Sequence, residues 1–225
     1  MYRHVPNLIT ISRLLLTVLF FWILNDNDQA TFTRQMWMAF IVFVTATLTD
    51  ILDGYLARKW KVESAFGRVV DPFVDKLLIC GAFIFFSSNH FIDTAVRSEF
   101  PVKLPVSITG VLPWMVVVLI AREFLITSIR GLAEAQGVDF RADWAGKVKM
   151  FTQSIAAGAV LVYLADKGRA EWIRVTRDVF IYTTVIVTVL SSITYIIRAW
   201  RLFAGGRLGA PPMRTSSAGR NAAAG

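Results

Sequence analysis

The stretch TDILDGYLARKWKVESAFGRVVDPFVDK, residues 49–76, sets four aspartates, Asp50, Asp53, Asp71 and Asp75, between long apolar runs. Read as helix, positions 50, 53, 54 and 57 fall along one face, while 67, 71 and 75 form a stripe four residues apart on the next helix. Two carboxylate pairs can then meet across one helix interface. A helix entering a membrane near Met36 and rising about 1.5 Å per residue carries Asp50 about 21 Å and Asp53 about 26 Å inward. Both then lie within about 4–9 Å of the far boundary of a hydrocarbon layer about 30 Å thick. Counted back from Gly67, Asp71 and Asp75 come about 6 and 12 Å down from that same boundary.

Energetics limit what such a cluster does. An aspartate in mid-membrane costs on the order of 3 kcal/mol, and two carboxylates about 5 Å apart repel by roughly 3 kcal/mol at an effective dielectric near 20. Of the cations in this stretch, Arg58 and Lys76 are read as the counter-charges near the acids, too few for four carboxylates, so the acids either take up protons or bind cations. Hard oxygen donors at this density suit one or two Mg²⁺ or Mn²⁺ ions. Two such ions can clamp a pyrophosphate through an in-line displacement, and a spare carboxylate can take the proton of an attacking hydroxyl. The small residues Gly54, Ala57 and Gly67 either let a nucleotide approach the backbone or serve close helix packing.

The rest of the chain agrees with a membrane setting. Its 225 residues are 55% hydrophobic and its mean hydropathy is +0.54, too apolar for a soluble domain. A formal charge of +8 then favours anionic lipid or a phosphorylated substrate over nucleic acid. Cys80 is the one cysteine, so neither an intramolecular disulfide nor a thiolate metal site is available. The first apolar run carries Arg13, lacks a small-residue cleavage site and is read as a retained span. His4 and His90 are read as interfacial residues.

Six runs are long enough to cross as helix, near 8–25, 36–57, 67–88, 111–133, 149–166 and 177–199. With the N-terminus inside, the cytosolic segments hold fourteen Lys and Arg against seven on the other side, among them Arg174 and Arg177. Both termini are therefore expected in the cytosol. The fold expected is all-α and polytopic, with residues 1–203 as the membrane domain and 204–225 as a disordered basic tail.

The eight positions Asp50, Asp53, Gly54, Ala57, Arg58, Gly67, Asp71 and Asp75, at this spacing, resemble the signature of the CDP-alcohol phosphotransferases without a departure. The likeness continues outward through PNLITISR (residues 6–13), VDPFVDKLL (70–78), REFLITSIRGLAEAQGV (122–138) and GKVKMFTQ (146–153). These flanks are similar to the bacterial branch whose acceptor is sn-glycerol 3-phosphate. The resemblance implies transfer of the phosphatidyl group of CDP-diacylglycerol to an alcohol with release of CMP. It implies that Asp50, Asp53, Asp71 and Asp75 hold two Mg²⁺ or Mn²⁺ ions, with Asp75 also the general base. Gly54, Ala57, Arg58 and Gly67 would line the CDP site. It further implies a homodimer with its active site open to the cytosol, in a bacterial cytoplasmic membrane.

A dianionic acceptor needs cations, and Arg122, Arg130, Lys147 and Lys149 are read as grouped at the cytosolic ends of the fourth and fifth spans. Arg122 is the strongest of these as an intramembrane charge, with structural pairing to Glu123 or another acid as the alternative. Lys147 and Lys149 also read as ordinary positive-inside residues. Two rival readings remain: a cardiolipin synthase of the same family, with phosphatidylglycerol as acceptor, and an ion or metal pathway through the membrane. The second predicts acids spread through the membrane thickness rather than gathered near one side.

Overall fold

A computed structural model describes residues 5–25, 31–60, 65–88, 107–135, 144–167 and 170–204; of residues 5–10, 50–60, 65–72, 75, 134, 144–147 and 201–204 it describes the backbone alone. His4, His90 and the basic tail beyond Ala204 lie outside these residues.

Six helices follow in order: α1 (Val5–Asn25), α2 (Phe32–Trp60), α3 (Ala65–Phe86), α4 (Pro113–Ala135), α5 (Trp144–Asp166) and α6 (Glu171–Ala204). Each contains most of one expected apolar run, and no strand element occurs among the described residues. Among the described residues two stretches, Val148–Asp166 and Glu171–Trp200, are long and apolar enough by themselves to cross a membrane.

Local chemistry fixes the helix ends. Pro113 opens α4, where a missing N–H costs nothing. Helix α5 stops at Lys167, whose φ of 56° is the left-handed turn that ends many helices. Asp166 then accepts the Ala170 amide at 2.8 Å just before α6 begins.

Helix α6 starts six residues earlier than the apolar run suggests, because Arg177 is not a surface charge. Its side chain is 7% exposed. Nε donates to Asp178 Oδ1 at 2.8 Å and Nη1 to the Ile108 carbonyl at 2.7 Å, and the guanidinium lies 3.9 Å over the Tyr163 ring. Gly110 passes beneath at φ 75°, and a Cβ there would come within 3.1 Å of Asp178 Oδ1 and 3.2 Å of the guanidinium carbon. Thr109 completes this end by donating to the Phe86 carbonyl at 2.6 Å, the last residue of α3. The ends of α3 and α5 therefore meet the starts of α4 and α6.

Phe21, near the end of α1, stacks on Phe85 at 5.4 Å. The Phe21 ring fills the place a Cβ on Gly81 would take, so α1 and α3 run close together. The core joins Phe20 and Leu24 to Phe43 of α2, Phe83 of α3, Leu119 of α4 and Ile181 of α6. Helix α5 sits among α2, α3 and α6. Its small buried residues Ala156 and Ala157 let neighbours approach, and Phe40 of α2 stands 3.5 Å from where a Gly158 Cβ would be.

Polarity is inverted relative to a soluble bundle. Arg13, Arg122, Lys149 and Arg177 are buried, while Leu15, Trp22, Phe124, Phe151 and Trp200 point outward with more than 60% of their surface exposed. An outer face this apolar demands lipid or protein against it.

Candidate active site

The aspartate motif occupies the end of α2 and the start of α3. Asp50 and Asp53 stand ten and seven residues before Trp60, and Asp71 and Asp75 six and ten residues after Ala65. At about 1.5 Å per residue both pairs sit about 9–15 Å from their helix ends. The backbone keeps 67, 71 and 75 in one stripe of α3, and 50, 53, 54 and 57 along one side of α2. The side chains of Asp50, Asp53, Gly54, Ala57, Arg58, Gly67, Asp71 and Asp75 lie outside the described residues. Among the described side chains no three His, Cys, Asp or Glu converge. The donor chemistry of the motif, four aspartates at similar distances along the backbone from the ends of α2 and α3, fits Mg²⁺ or Mn²⁺.

Next to Asp75 the description of side chains resumes. Lys76 donates to Thr127 Oγ1 of α4, and Thr127 in turn donates to the Glu123 carbonyl one turn earlier at 2.7 Å. That register brings a basic cluster beside α3. Arg122 Nη1 donates to Glu123 Oε1 at 3.0 Å, and Lys149 Nζ of α5 bonds the same oxygen. The side chains are 7%, 13% and 3% exposed for Arg122, Glu123 and Lys149. The Arg122 guanidinium carbon also lies 5.7 Å from the Tyr195 ring centre of α6. Three helices, α4, α5 and α6, thus converge on two cations and one carboxylate, with α3 joined to α4 beside them through Lys76.

Of the four cations assigned from sequence to an acceptor phosphate, the fold brings Arg122 and Lys149 together. Arg130 lies eight residues further along α4, and its Nε, like that of Arg122, is buried without a hydrogen-bond partner among the described residues. The Lys147 side chain lies outside them. Arg122 is nine residues into α4, near its middle, and Lys149 is not a peripheral loop charge but part of the buried face of α5. The sequence reading missed Tyr195 and the bond from Glu123 to Lys149, which joins residues 26 apart.

It also missed an apolar groove of about 710 Å³ between α2, α5 and α6. Phe40, Thr47, Phe151 and Trp172 line it, and Arg13 of α1 reaches its wall. Thr47 is three residues from Asp50, so the lining of the groove comes within a helical turn of the motif.

A family model described as CDP-alcohol phosphatidyltransferase matches residues 3–191. A protein of Mycobacterium tuberculosis named probable phosphatidylglycerophosphate synthase is 31% identical over 205 residues, covering 91% of this chain and 85% of that protein. The CDP-diacylglycerol–glycerol-3-phosphate 3-phosphatidyltransferase of Bacillus subtilis is 29% identical over 206 residues, covering 88% and 95%. That of Haemophilus influenzae is 26% identical over 198 residues, covering 86% and 91%.

Proposed function

Because the chain belongs to the CDP-alcohol phosphatidyltransferase family and is an enzyme of that type, we propose that it moves the phosphatidyl group of CDP-diacylglycerol to sn-glycerol 3-phosphate, giving phosphatidylglycerophosphate and CMP. The observation that carries the choice of acceptor is the buried Arg122–Glu123–Lys149 cluster, held one turn from the Lys76–Thr127 contact beside Asp75. A phosphate monoester is a dianion that needs such cations. Phosphatidylglycerol, the acceptor of the rival reading, offers no monoester to bind.

Asp50, Asp53, Asp71 and Asp75 would hold two Mg²⁺ or Mn²⁺ ions, whose charge would offset that of the pyrophosphate. Gly54, Ala57 and Gly67 leave room for the CDP moiety, and Arg58 offsets phosphate charge. Asp75 takes the proton of the glycerol hydroxyl as its oxygen attacks the phosphorus that bears diacylglycerol; the bond to CMP breaks and CMP leaves with the electron pair. Arg122 and Lys149, with Arg130 and Lys147, receive the acceptor's own phosphate. The groove beside Thr47 takes an acyl chain, whose burial contributes about 0.8 kcal/mol per methylene.

All six helices span a bacterial cytoplasmic membrane in this reading, with both termini and the aspartates on the cytosolic side and a second copy completing a homodimer. Support comes from tryptophan. Trp22, Trp37, Trp114 and Trp172 are exposed near the end of α1 and the starts of α2, α4 and α6, the arrangement of an interfacial aromatic belt. Trp200 is exposed toward the other end.

The deciding experiment incubates purified protein with CDP-diacylglycerol, Mg²⁺ and a panel of alcohols, and measures CMP. Release with glycerol 3-phosphate is the expected result. Release with phosphatidylglycerol instead would replace the acceptor, and no release with any alcohol would remove the catalytic reading.

A further inference from the structure

We propose that Glu123 is a positioning residue for the acceptor phosphate: its carboxylate holds Arg122 and Lys149 converged on one point, so that the pair receives a dianion as a unit. The inference rests on the acceptor reading above and names a residue whose role the aspartate motif does not touch.

Geometry singles this carboxylate out. Adjacent residues on a helix point about 100° apart and do not form the usual stabilising pair. Arg122 nevertheless turns back to put Nη1 on Glu123 Oε1, and Lys149 reaches the same atom from α5. One oxygen therefore takes a donor from each of two helices. Neither cation has bulk water for a partner, since both side chains are at least nine-tenths buried. Two like charges brought to one point repel, and buried charges persist only when paired. Glu123 supplies that pairing and leaves one net positive charge for an incoming phosphate to meet. The remaining donors are in place. Arg122 Nε is buried without a hydrogen-bond partner among the described residues, and the ammonium has N–H groups beyond the one given to Glu123. Tyr195 backs the guanidinium, and the Thr127 bond to the Glu123 carbonyl ties this turn of α4 to Lys76. The pair is thereby fixed relative to α3.

Charge, and not shape, is what this role requires, and two substitutions separate them. Glu123→Gln is isosteric and neutral; Glu123→Asp is shorter and charged. In full-length protein assayed by CMP release, Glu123→Gln should raise KM for glycerol 3-phosphate about ten- to a hundredfold, the loss of a charge-assisted contact. KM for CDP-diacylglycerol should stay within about twofold, and Glu123→Asp should fall between wild type and Gln. A purely structural carboxylate gives the reverse order, with the isosteric Gln close to wild type and Asp worse. That order, equal movement of both KM values, or an unchanged or lowered KM for glycerol 3-phosphate in Glu123→Gln overturns the proposal.

If the wild type does not turn over glycerol 3-phosphate, the acceptor reading has failed, and the same variants are compared by the rise in Tm that inorganic phosphate produces. A rise in the wild type that Gln loses and Asp partly keeps sustains Glu123 as the positioning residue of a phosphate site. No rise in the wild type, or an equal rise in Gln, rejects it.

Discussion

Replacing Arg177 with methionine should loosen the end of the bundle opposite the aspartates while sparing the chemistry. The substitution keeps a long unbranched chain over Tyr163 and deletes every donor. The Ile108 carbonyl, which now accepts from Nη1 at 2.7 Å, is left without that donor, at about 1–3 kcal/mol. The cation over the Tyr163 ring at 3.9 Å contributes about 1–2 kcal/mol where it is desolvated. Asp178 adds little, because its side chain is 41% exposed and rehydrates once its partner is gone. The sum is about 2–5 kcal/mol, and at about 2–4 °C per kcal/mol for a chain of this size the apparent Tm falls on the order of 10 °C. Thermal unfolding of the purified protein in one fixed detergent measures it. CMP release at a temperature where both proteins are folded should match the wild type within about twofold. Gly110→Ala should lose about 1–2 kcal/mol by the same assay, because φ at 75° is costly for any side chain. A Tm within about 2 °C of wild type for Arg177→Met would refute the reasoning, since about 1 kcal/mol or less could then be at stake.

Three further outcomes test the catalytic end and the core. Chelation should abolish turnover and Mg²⁺ or Mn²⁺ restore it; with metal saturating, Asp75→Asn should lower turnover by roughly two to four powers of ten and leave CDP-diacylglycerol binding, measured by equilibrium competition, much less changed. Arg122→Ala should raise KM for glycerol 3-phosphate far more than that for CDP-diacylglycerol, and equal movement of both would mark the arginine as structural. Gly81→Val should cost about 1–3 kcal/mol by thermal unfolding, since the Phe21 ring already occupies the space of the new Cβ; an unchanged Tm would mean that the α1–α3 contact yields easily.

Helix existence was legible in sequence because apolar runs of about twenty residues have few other uses. Where the reading erred, it treated charge as a mark of the periphery. Arg177 marked the edge of a span in the sequence, yet α6 begins at Glu171 and buries it. Lys149 read equally well as a positive-inside residue, yet it lies under α4. In both cases partners distant in sequence, Ile108 and Glu123, make burial affordable, and no local pattern announces them. The aspartate motif was legible for the opposite reason: its pairs are close in sequence, and helix periodicity alone aligns them. The apolar groove had no linear signature at all, because its walls come from α1, α2, α3, α5 and α6.

Helix α5 places Lys149, Gln153, Ala156, Val160 and Leu164 on one buried stripe, and the consequence concerns how such a protein can change. Ala156, one of the small residues that admit neighbouring helices, and the lysine that meets Glu123 share a single azimuth. One residue of slippage along α5 would turn the whole stripe by about 100°, taking the ammonium away from Arg122 and pushing larger side chains into the seams at once. If Lys149 receives the acceptor phosphate as proposed, recognition at one end of this helix and assembly along its length are a single degree of freedom. A variant with altered acceptor preference has to arise by exchanging side chains around a stationary α5, on α4 or α6, and not by rotating the helix that carries the lysine.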